Sequence, residues 1–396
     1  MNRSPLFAIC LLACSSSPNA KISDKGPVDS AADSVESDPP VAVIEASTLS
    51  GAFPLDVSFS ALPSEGDGLT YAWDLGDGES ETTMTVARTW LGSGTRTVSL
   101  TVTDERGETA TDSVEVEVVL PDCPVGGEQE VLGTVTEPIL DEISGVGVSR
   151  QNPGVLWVHN DARNARALYA VDETGEGVGA YDLDINYGDW EDIAVGVDEL
   201  GDPVLYVGSV GNNDLDRLIL SILIVPEPVV PLGTLTVGTV EFREMQLEYP
   251  DGPYDSESLM WDPQTGDLYV ITKDISGESH VFRAAAPHDE ESVMLEEVAL
   301  LDFSVEPLSG LRTTAATISP LGDLIAIRTY SSTAYVWRRD ASQPLADAFA
   351  GEPCPVTIAS EPQGESLDFS LDGRSLLSIP EGVDPDVNRT ALVDPA

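Results

Sequence analysis

The sequence predicts an all-β protein, an antiparallel sandwich followed by a β-propeller of five blades, with six blades as the alternative grouping. Two observations carry this. From Val41 to Val119, short segments alternate apolar and polar residues with period two and are separated by turn residues. From residue 142 onward a pair of segments recurs, an acidic residue opening an apolar strand and then a Leu-Tyr-Val-like strand. Self-similarity of this kind marks one supersecondary unit stacked beside copies of itself.

The 396 residues are enough for two or more independently cored domains. Acidic residues number 69 against 19 Lys and Arg, a formal charge of -50, so nucleic acid is excluded as a partner: phosphate binding requires clustered basic residues. The acidity is spread along the chain, which suits a solvated surface in a salty or calcium-containing medium.

At the N-terminus, Arg3 precedes an apolar run, Leu6 to Ala13, too short to span a bilayer and of the length of a signal-peptide core. It ends in Leu11-Leu12-Ala13-Cys14, followed by Ser15-Ser16-Ser17-Pro18. This resembles the lipobox of bacterial lipoproteins, which implies that residues 1–14 are a signal and that Cys14 receives lipid and becomes the mature N-terminus. An ordinary secretory signal cleaved nearby is the alternative, and either exports the protein. Residues 15–40 are rich in Ser, Asp, Pro and Ala, with too little apolar area to fold, and read as a tether to a membrane partner. Ser15 after Cys14 points, in the enterobacterial sorting pattern, to the outer membrane.

Residues 41–119 supply the sandwich. Leu55-Asp-Val-Ser-Phe-Ser, Leu69-Thr-Tyr-Ala-Trp, Thr97-Val-Ser-Leu-Thr-Val and Ser113-Val-Glu-Val-Glu-Val each read as a half-buried strand. Tyr71-Ala-Trp-Asp-Leu-Gly-Asp-Gly-Glu with the later Val98-Ser-Leu-Thr-Val-Thr-Asp resembles the PKD domain, an immunoglobulin-like sandwich of extracellular proteins that serves as spacer or adhesion module. Trp73 is expected between the sheets. Asp74, Gly76, Asp77 and Gly78 are expected to make a tight turn, a reading preferred here to calcium ligation by the two aspartates.

Residues 120–127, Leu-Pro-Asp-Cys-Pro-Val-Gly-Gly, form a linker, and the propeller is assigned to 128–396. The chain has four cysteines, Cys10 and Cys14 in the signal, Cys123 in the linker and Cys354 beyond. In an oxidising compartment the latter two are expected to pair. First strands at Glu142, Glu191, Glu257, Ala315 and Glu365 are spaced 49, 66, 58 and 50 residues apart, room for four strands each. The fifth blade falls one strand short, and Glu130-Val-Leu-Gly-Thr-Val-Thr, unused elsewhere, is expected to close it. That closure brings Cys123 and Cys354 to neighbouring outer strands.

Asp189-Trp-Glu-Asp-Ile-Ala, with Pro250-Asp-Gly-Pro-Tyr-Asp-Ser-Glu-Ser-Leu, Arg328-Thr-Tyr and Pro362-Gln-Gly-Glu-Ser-Leu-Asp-Phe, resembles a group of exported bacterial propeller proteins without an agreed activity. First strands of propeller blades line the central channel, so Glu142, Glu191, Glu257 and Glu365 should converge near one end, with a gap at Ala315. Asp161, Asp189, Lys273 and Arg328 are the expected companions. Three readings follow: a solvated channel, a hard cation such as Ca²⁺ held by Glu142, Glu191, Glu257 and Glu365, or catalysis by the carboxylates. With three histidines in the chain, zinc chemistry is disfavoured. The functional expectation is a surface-anchored binding or adhesion lipoprotein for a glycan, peptide or envelope protein. The alternative is an exported phosphoester or glycoside hydrolase.

Overall fold

The computed structural model describes residues 38–161, 167–185, 187–231, 233, 235–304 and 310–394. The lipobox at Cys14 and the tether as far as residue 37 lie outside the described residues. No helix among the described residues is long and apolar enough to cross a membrane.

The first domain is a two-sheet sandwich. Leu55–Ser60 lies between Glu45–Ala46 and Thr85–Trp90 in one sheet, and the second sheet runs Ser50–Ala52, Thr109–Val119, Gly94–Thr103, Thr70–Asp74, Ser80–Glu81. Alternate residues of each strand, Val57, Phe59, Val98, Leu100, Val116 and Val118 among them, point into one core. Trp73 fills its centre, 2% exposed, and its indole N–H reaches Thr83 O at 2.8 Å, so the largest ring is buried without an orphaned donor. The Asp74–Gly78 segment is the expected turn. Gly76 donates to Asp74 Oδ1 at 2.9 Å and holds φ at 74°, and a Cβ there would sit 2.6 Å from Thr97 O. Asp77 accepts from Arg88 Nε at 2.6 Å and Trp90 Nε1 at 3.1 Å, so its carboxylate is committed to the fold.

Beyond residue 124, the described residues form five sheets, each built on four antiparallel strands. The first holds Ile143–Val148, Val155–Asn160, Ala167–Asp172 and Gly177–Asp182; the second Asp192–Val197, Pro203–Ser209, Leu220–Pro226 and Arg243–Glu248. The third holds Ser256–Trp261, Leu268–Thr272, Glu278–Ala284 and Glu296–Asp302; the fourth Thr313–Ile318, Leu324–Thr329, Thr333–Arg338 and Cys354–Thr357. The fifth takes Asp368–Phe369, Ser375–Ser378 and Asp386–Val393 from the C-terminal region and Val125–Thr134 from the other end of the domain. Each first strand touches the first strand of the next sheet, and the fifth returns to the first, so the innermost strands close a ring in a propeller-like arrangement.

Packing explains why these strands read as continuous apolar runs rather than alternating ones. A separate core lies in each gap between neighbouring sheets: Trp157, Leu168, Ile193 and Leu223 between the first and second, for instance, and Val146, Val158, Leu377 and Val387 between the first and fifth. An inner strand therefore buries both faces. Each fully buried Val, Leu or Ile contributes roughly 1.5–3 kcal/mol before chain entropy is set against it.

The seam follows the expectation. Val125–Thr134 pairs antiparallel with Asp386–Val393, from Thr134 opposite Asp386 to Val125 opposite Val393. Cys123 and Cys354 form a disulfide with a Cα separation of 5.5 Å, tying the start of the closing strand to the outer strand of the fourth sheet. The sandwich is fastened nearby: Ser93 donates through its backbone N–H and hydroxyl to Asp340 Oδ2, at 3.0 and 2.8 Å, and Ala341 N–H donates to Leu91 O at 3.1 Å.

Three apolar stretches do not each form one buried strand. Val237–Leu247 is not one strand: Thr236–Thr239 runs parallel along the edge of the first sheet, and only Arg243–Glu248 belongs to the second. Val237 is 74% exposed, so nothing apolar holds the segment in the second sheet. Likewise Met294–Phe303 divides, with Ser292–Met294 adding to the edge of the second sheet and Glu296–Asp302 completing the third. In the apolar run from Leu218, burial starts at Leu220, because Leu218 and Ile219 precede the strand and stay exposed.

Candidate functional site: an acidic pocket at the mouth of the ring

At the entry of the inner strands the backbone departs from regular pairing. In the third sheet Ser256 opposes Thr272 and Ser258 opposes Ile271, leaving Glu257 as the extra residue of a bulge. Bulges re-aim a side chain, and here the extra residue turns toward the axis. Ser144 and Thr314 hold the same place in the first and fourth sheets. In the second, Glu191 donates its N–H to the carbonyl of Gly208, the residue that Asp192 opposes. In the fifth, Glu381 N–H bonds to Gln363 O as Lys273 N–H bonds to Asp255 O, which puts Glu365 level with Glu257.

The bulge tier is therefore Ser144, Glu191, Glu257, Thr314 and Glu365. This revises the expected ring. Its gap falls at Thr314 rather than Ala315, and Glu142 stands two residues before the tier, level with Asp189, Asp255, Arg312 and Gln363. A third level, at the ends of the second strands, carries Asp161, Gly211, Lys273, Tyr330 and Glu381.

Glu142, Asp161, Glu191, Glu257, Glu365 and Glu381 line a cavity of about 240 Å³ together with Lys273, Asn213 and Gln363. Six carboxylates thus face one lysine among the described residues. Lys273 Nζ donates to Glu257 Oε1 and sits 5.5 Å over the ring of Tyr330. Tyr330 in turn donates its hydroxyl to Glu365 Oε1 at 2.5 Å, and Gln363 Nε2 donates to Glu381 Oε2. Glu257 and Glu365 are thereby engaged. Glu191, 4% exposed, has a carboxylate that accepts no hydrogen bond among the described residues and that lines the cavity.

Burial and crowding together raise the carboxyls of this pocket. Burial, then the charges of Glu257, Asp161 and Asp189, push the Glu191 carboxyl well above the usual range. Burial pushes Glu257 up to about 8 although Lys273 pulls the other way. Glu381 is likewise pushed up to about 8, by burial and by the neighbouring Glu365 carboxylate. The surrounding carboxylates hold Lys273 above its ordinary value against the burial that would lower it.

Asp189 does not line the cavity, but one carboxylate oxygen each from Asp161, Asp189 and Glu191 lie within 4.8 Å of one another. Arg328, expected in the channel, is instead turned between the fourth and fifth sheets. Fully buried, it donates to Glu361 Oε2 at 2.7 Å and to Ser366 O at 3.0 Å. Glu361 also accepts from Ser378 and Asn388, so this is a structural ion pair.

Sequence reasoning did not assign Tyr330 or Gln363 to the site, although both stand inside the quoted motifs Arg328-Thr-Tyr and Pro362-Gln. It also did not single out Asp192, which crosses the ring below the pocket. Asp192 is 1% exposed and accepts from the backbone N–H groups of Ile193 and Leu259 at 2.9 Å and of Ala316 at 3.4 Å. Burial drives its carboxyl well above the usual range.

No curated protein sequence matches the chain. The family model described as PKD domain matches residues 37–118. Among solved structures, the PKD1 domain of the Vibrio cholerae metalloprotease PrtV is 28% identical, with 20% of this chain and 98% of that one covered and a TM-score of 0.18. The PKD1 domain of Vibrio anguillarum Epp is 36% identical, with 22% and 100% covered and a TM-score of 0.19. A quinonprotein alcohol dehydrogenase-like protein of Bacteroides thetaiotaomicron aligns over 88% of this chain and 96% of its own at 10% identity, with a TM-score of 0.31. On the family match and the two-sheet core around Trp73, the first domain is a PKD domain.

Proposed function

We propose that the chain is an exported binding protein in which the PKD domain acts as spacer and the five-sheet region presents the acidic pocket to a positively charged ligand. The observation that supports this reading is the pocket itself: among the described residues, six carboxylates stand against one lysine in about 240 Å³, and Glu191 accepts no hydrogen bond. A cation entering it offsets the burial and crowding that raise the Glu191 and Glu257 carboxyls, so ligand charge is selected before ligand shape.

The test is calorimetry on the full chain with divalent cations, polyamines, amino sugars and lysine-containing peptides. Binding at micromolar to millimolar concentration that weakens in Glu191→Gln is expected. No binding by any of them would overturn the reading. The exported hydrolase is the alternative for the same residues: turnover of a phosphoester or glycoside by the full chain, lost in Glu191→Gln, would favour it instead.

The anchoring part of the proposal rests on Leu11-Leu12-Ala13-Cys14. A lipid on Cys14 would hold the protein on a membrane face, in the sorting pattern of the outer membrane. Labelling of expressing cells with a radioactive fatty acid should mark the wild type and not Cys14→Ser. Equal labelling would remove the anchor.

A further inference from the structure

We infer that Asp161, Asp189 and Glu191 form a binding site for one hard divalent cation of the Ca²⁺ class, set to one side of the acidic pocket. This rests on the binding reading above and narrows it to a ligand.

Distance comes first. Oxygens bound to one Ca²⁺ at roughly 2.3–2.6 Å stand at most about 5 Å apart. The three carboxylate oxygens here lie within 4.8 Å of one another. Their convergence depends on a glycine. A Cβ on Gly211 would fall 1.9 Å from Glu191 Oε1 and 2.7 Å from Asp189 Oδ2, so the two carboxylates lean over a backbone bare of side chain. Glu191 adds an independent indication: it is more than nine-tenths buried, lines the cavity and accepts no hydrogen bond among the described residues.

The rest of the pocket explains why the ion belongs here and not at the centre of the four glutamates expected from the sequence. Glu257 is held by Lys273 Nζ, and Glu365 accepts the Tyr330 hydroxyl. A cation midway would compete with Lys273 for Glu257, whereas the Glu191 carboxylate accepts no hydrogen bond among the described residues that the ion would have to displace. The donor set is oxygen throughout. That selects Ca²⁺, Mg²⁺ or Mn²⁺ over zinc or copper, which favour nitrogen and sulfur.

The experiment uses the full chain stripped with EDTA and titrated calorimetrically with Ca²⁺, Mg²⁺ and Mn²⁺ separately, and with Tb³⁺ by luminescence. One ion per chain is expected, with Ca²⁺ displacing Tb³⁺. Asp189→Asn and Glu191→Gln should each weaken Ca²⁺ at least tenfold, while Glu130→Gln on the outer closing strand should not. Both pocket variants keep the side-chain volume, and the wild-type titration needs no variant, so misfolding cannot mask the answer. No saturable binding of any of the four ions by wild type, or undiminished Ca²⁺ binding in both variants, overturns the site. If the metals fail while polyamines or lysine peptides still bind, this inference falls and the wider binding reading stands.

Discussion

Breaking the Cys123–Cys354 disulfide should be the most costly covalent change available to this molecule. The two cysteines are 231 residues apart in sequence. On the loop-entropy relation, a closed loop of that length takes about 18 cal/mol/K from the unfolded chain, or about 5 kcal/mol at 25 °C, the upper end of what native disulfides contribute. For a domain of this size, each kcal/mol shifts the melting midpoint by roughly 2–4 °C, so reduction should lower it by on the order of 10 °C or more. Differential scanning calorimetry of the oxidised protein, the protein in a phosphine reductant, and the double variant Cys123→Ala, Cys354→Ala gives three curves. The reduced and double-variant curves should both fall well below the oxidised one, because both lose the crosslink, and the small difference between them reports the change of side chain at Cys123 and Cys354. The PKD domain, which holds neither cysteine, should melt unchanged where its transition is resolved. Oxidised and reduced midpoints within about 1 °C of each other would refute the reasoning, and would mean that the unfolded ensemble is already restricted by other means.

Other outcomes follow from named contacts. Glu361→Gln removes the charge facing Arg328, whose side chain is 1% exposed, and should destabilise the five-sheet region by roughly 3–5 kcal/mol in urea titration, since an uncompensated buried guanidinium remains; a loss below about 1 kcal/mol would contradict that assignment. Asp77 is held below its ordinary carboxyl value: burial acts to raise it and is outweighed by hydrogen bonds from Glu79 N–H, Arg88 and Trp90. Its contribution is therefore complete above the unfolded carboxyl value near 4 and fades as pH falls toward the folded one, so the acid limb of PKD unfolding should flatten in Asp77→Asn, while an identical limb in both proteins would count against it. Asp340→Ala removes both Ser93 bonds and should speed hydrogen exchange at Ser93 while changing global stability by about 1–3 kcal/mol; unaltered exchange at Ser93 would show that the two domains are held by something else.

Much of the architecture was legible because the chain repeats itself. Each repeat brings its own apolar pair, and the need to bury both faces of Leu220–Pro226 or Leu324–Thr329 leaves few arrangements other than packed sheets. The closing strand was legible by elimination, as the one strand-like segment without a sheet, and the disulfide followed from it. What sequence did not resolve is local. A bulge costs one residue and leaves no mark in the hydrophobic pattern, so Glu142 aligned with Glu257 by similarity although it stands two positions away. Arg328 carries the same charge whether it points into the channel or into the gap toward Glu361, and only the position of Glu361, 33 residues later, decides it. The edge strand Thr236–Thr239 was hidden for the opposite reason. Its pattern is weak because so little of it is buried.

The seam also determines how the molecule bears a load. Val125 and Val393 are partners at the same end of the closing pair. Tension applied there between the PKD side and the C-terminal side would open the hydrogen bonds one at a time, the weakest geometry for a pair of strands. Cys123 lies two residues before Val125 and is covalently joined to Cys354 in the neighbouring sheet. A pull transmitted through the PKD domain therefore leaves the backbone at residue 123 and enters the fourth sheet through sulfur before the seam feels it. The crosslink acts as a strain relief, and the ring that positions the acidic pocket can stay closed under a force that would unzip its last strand.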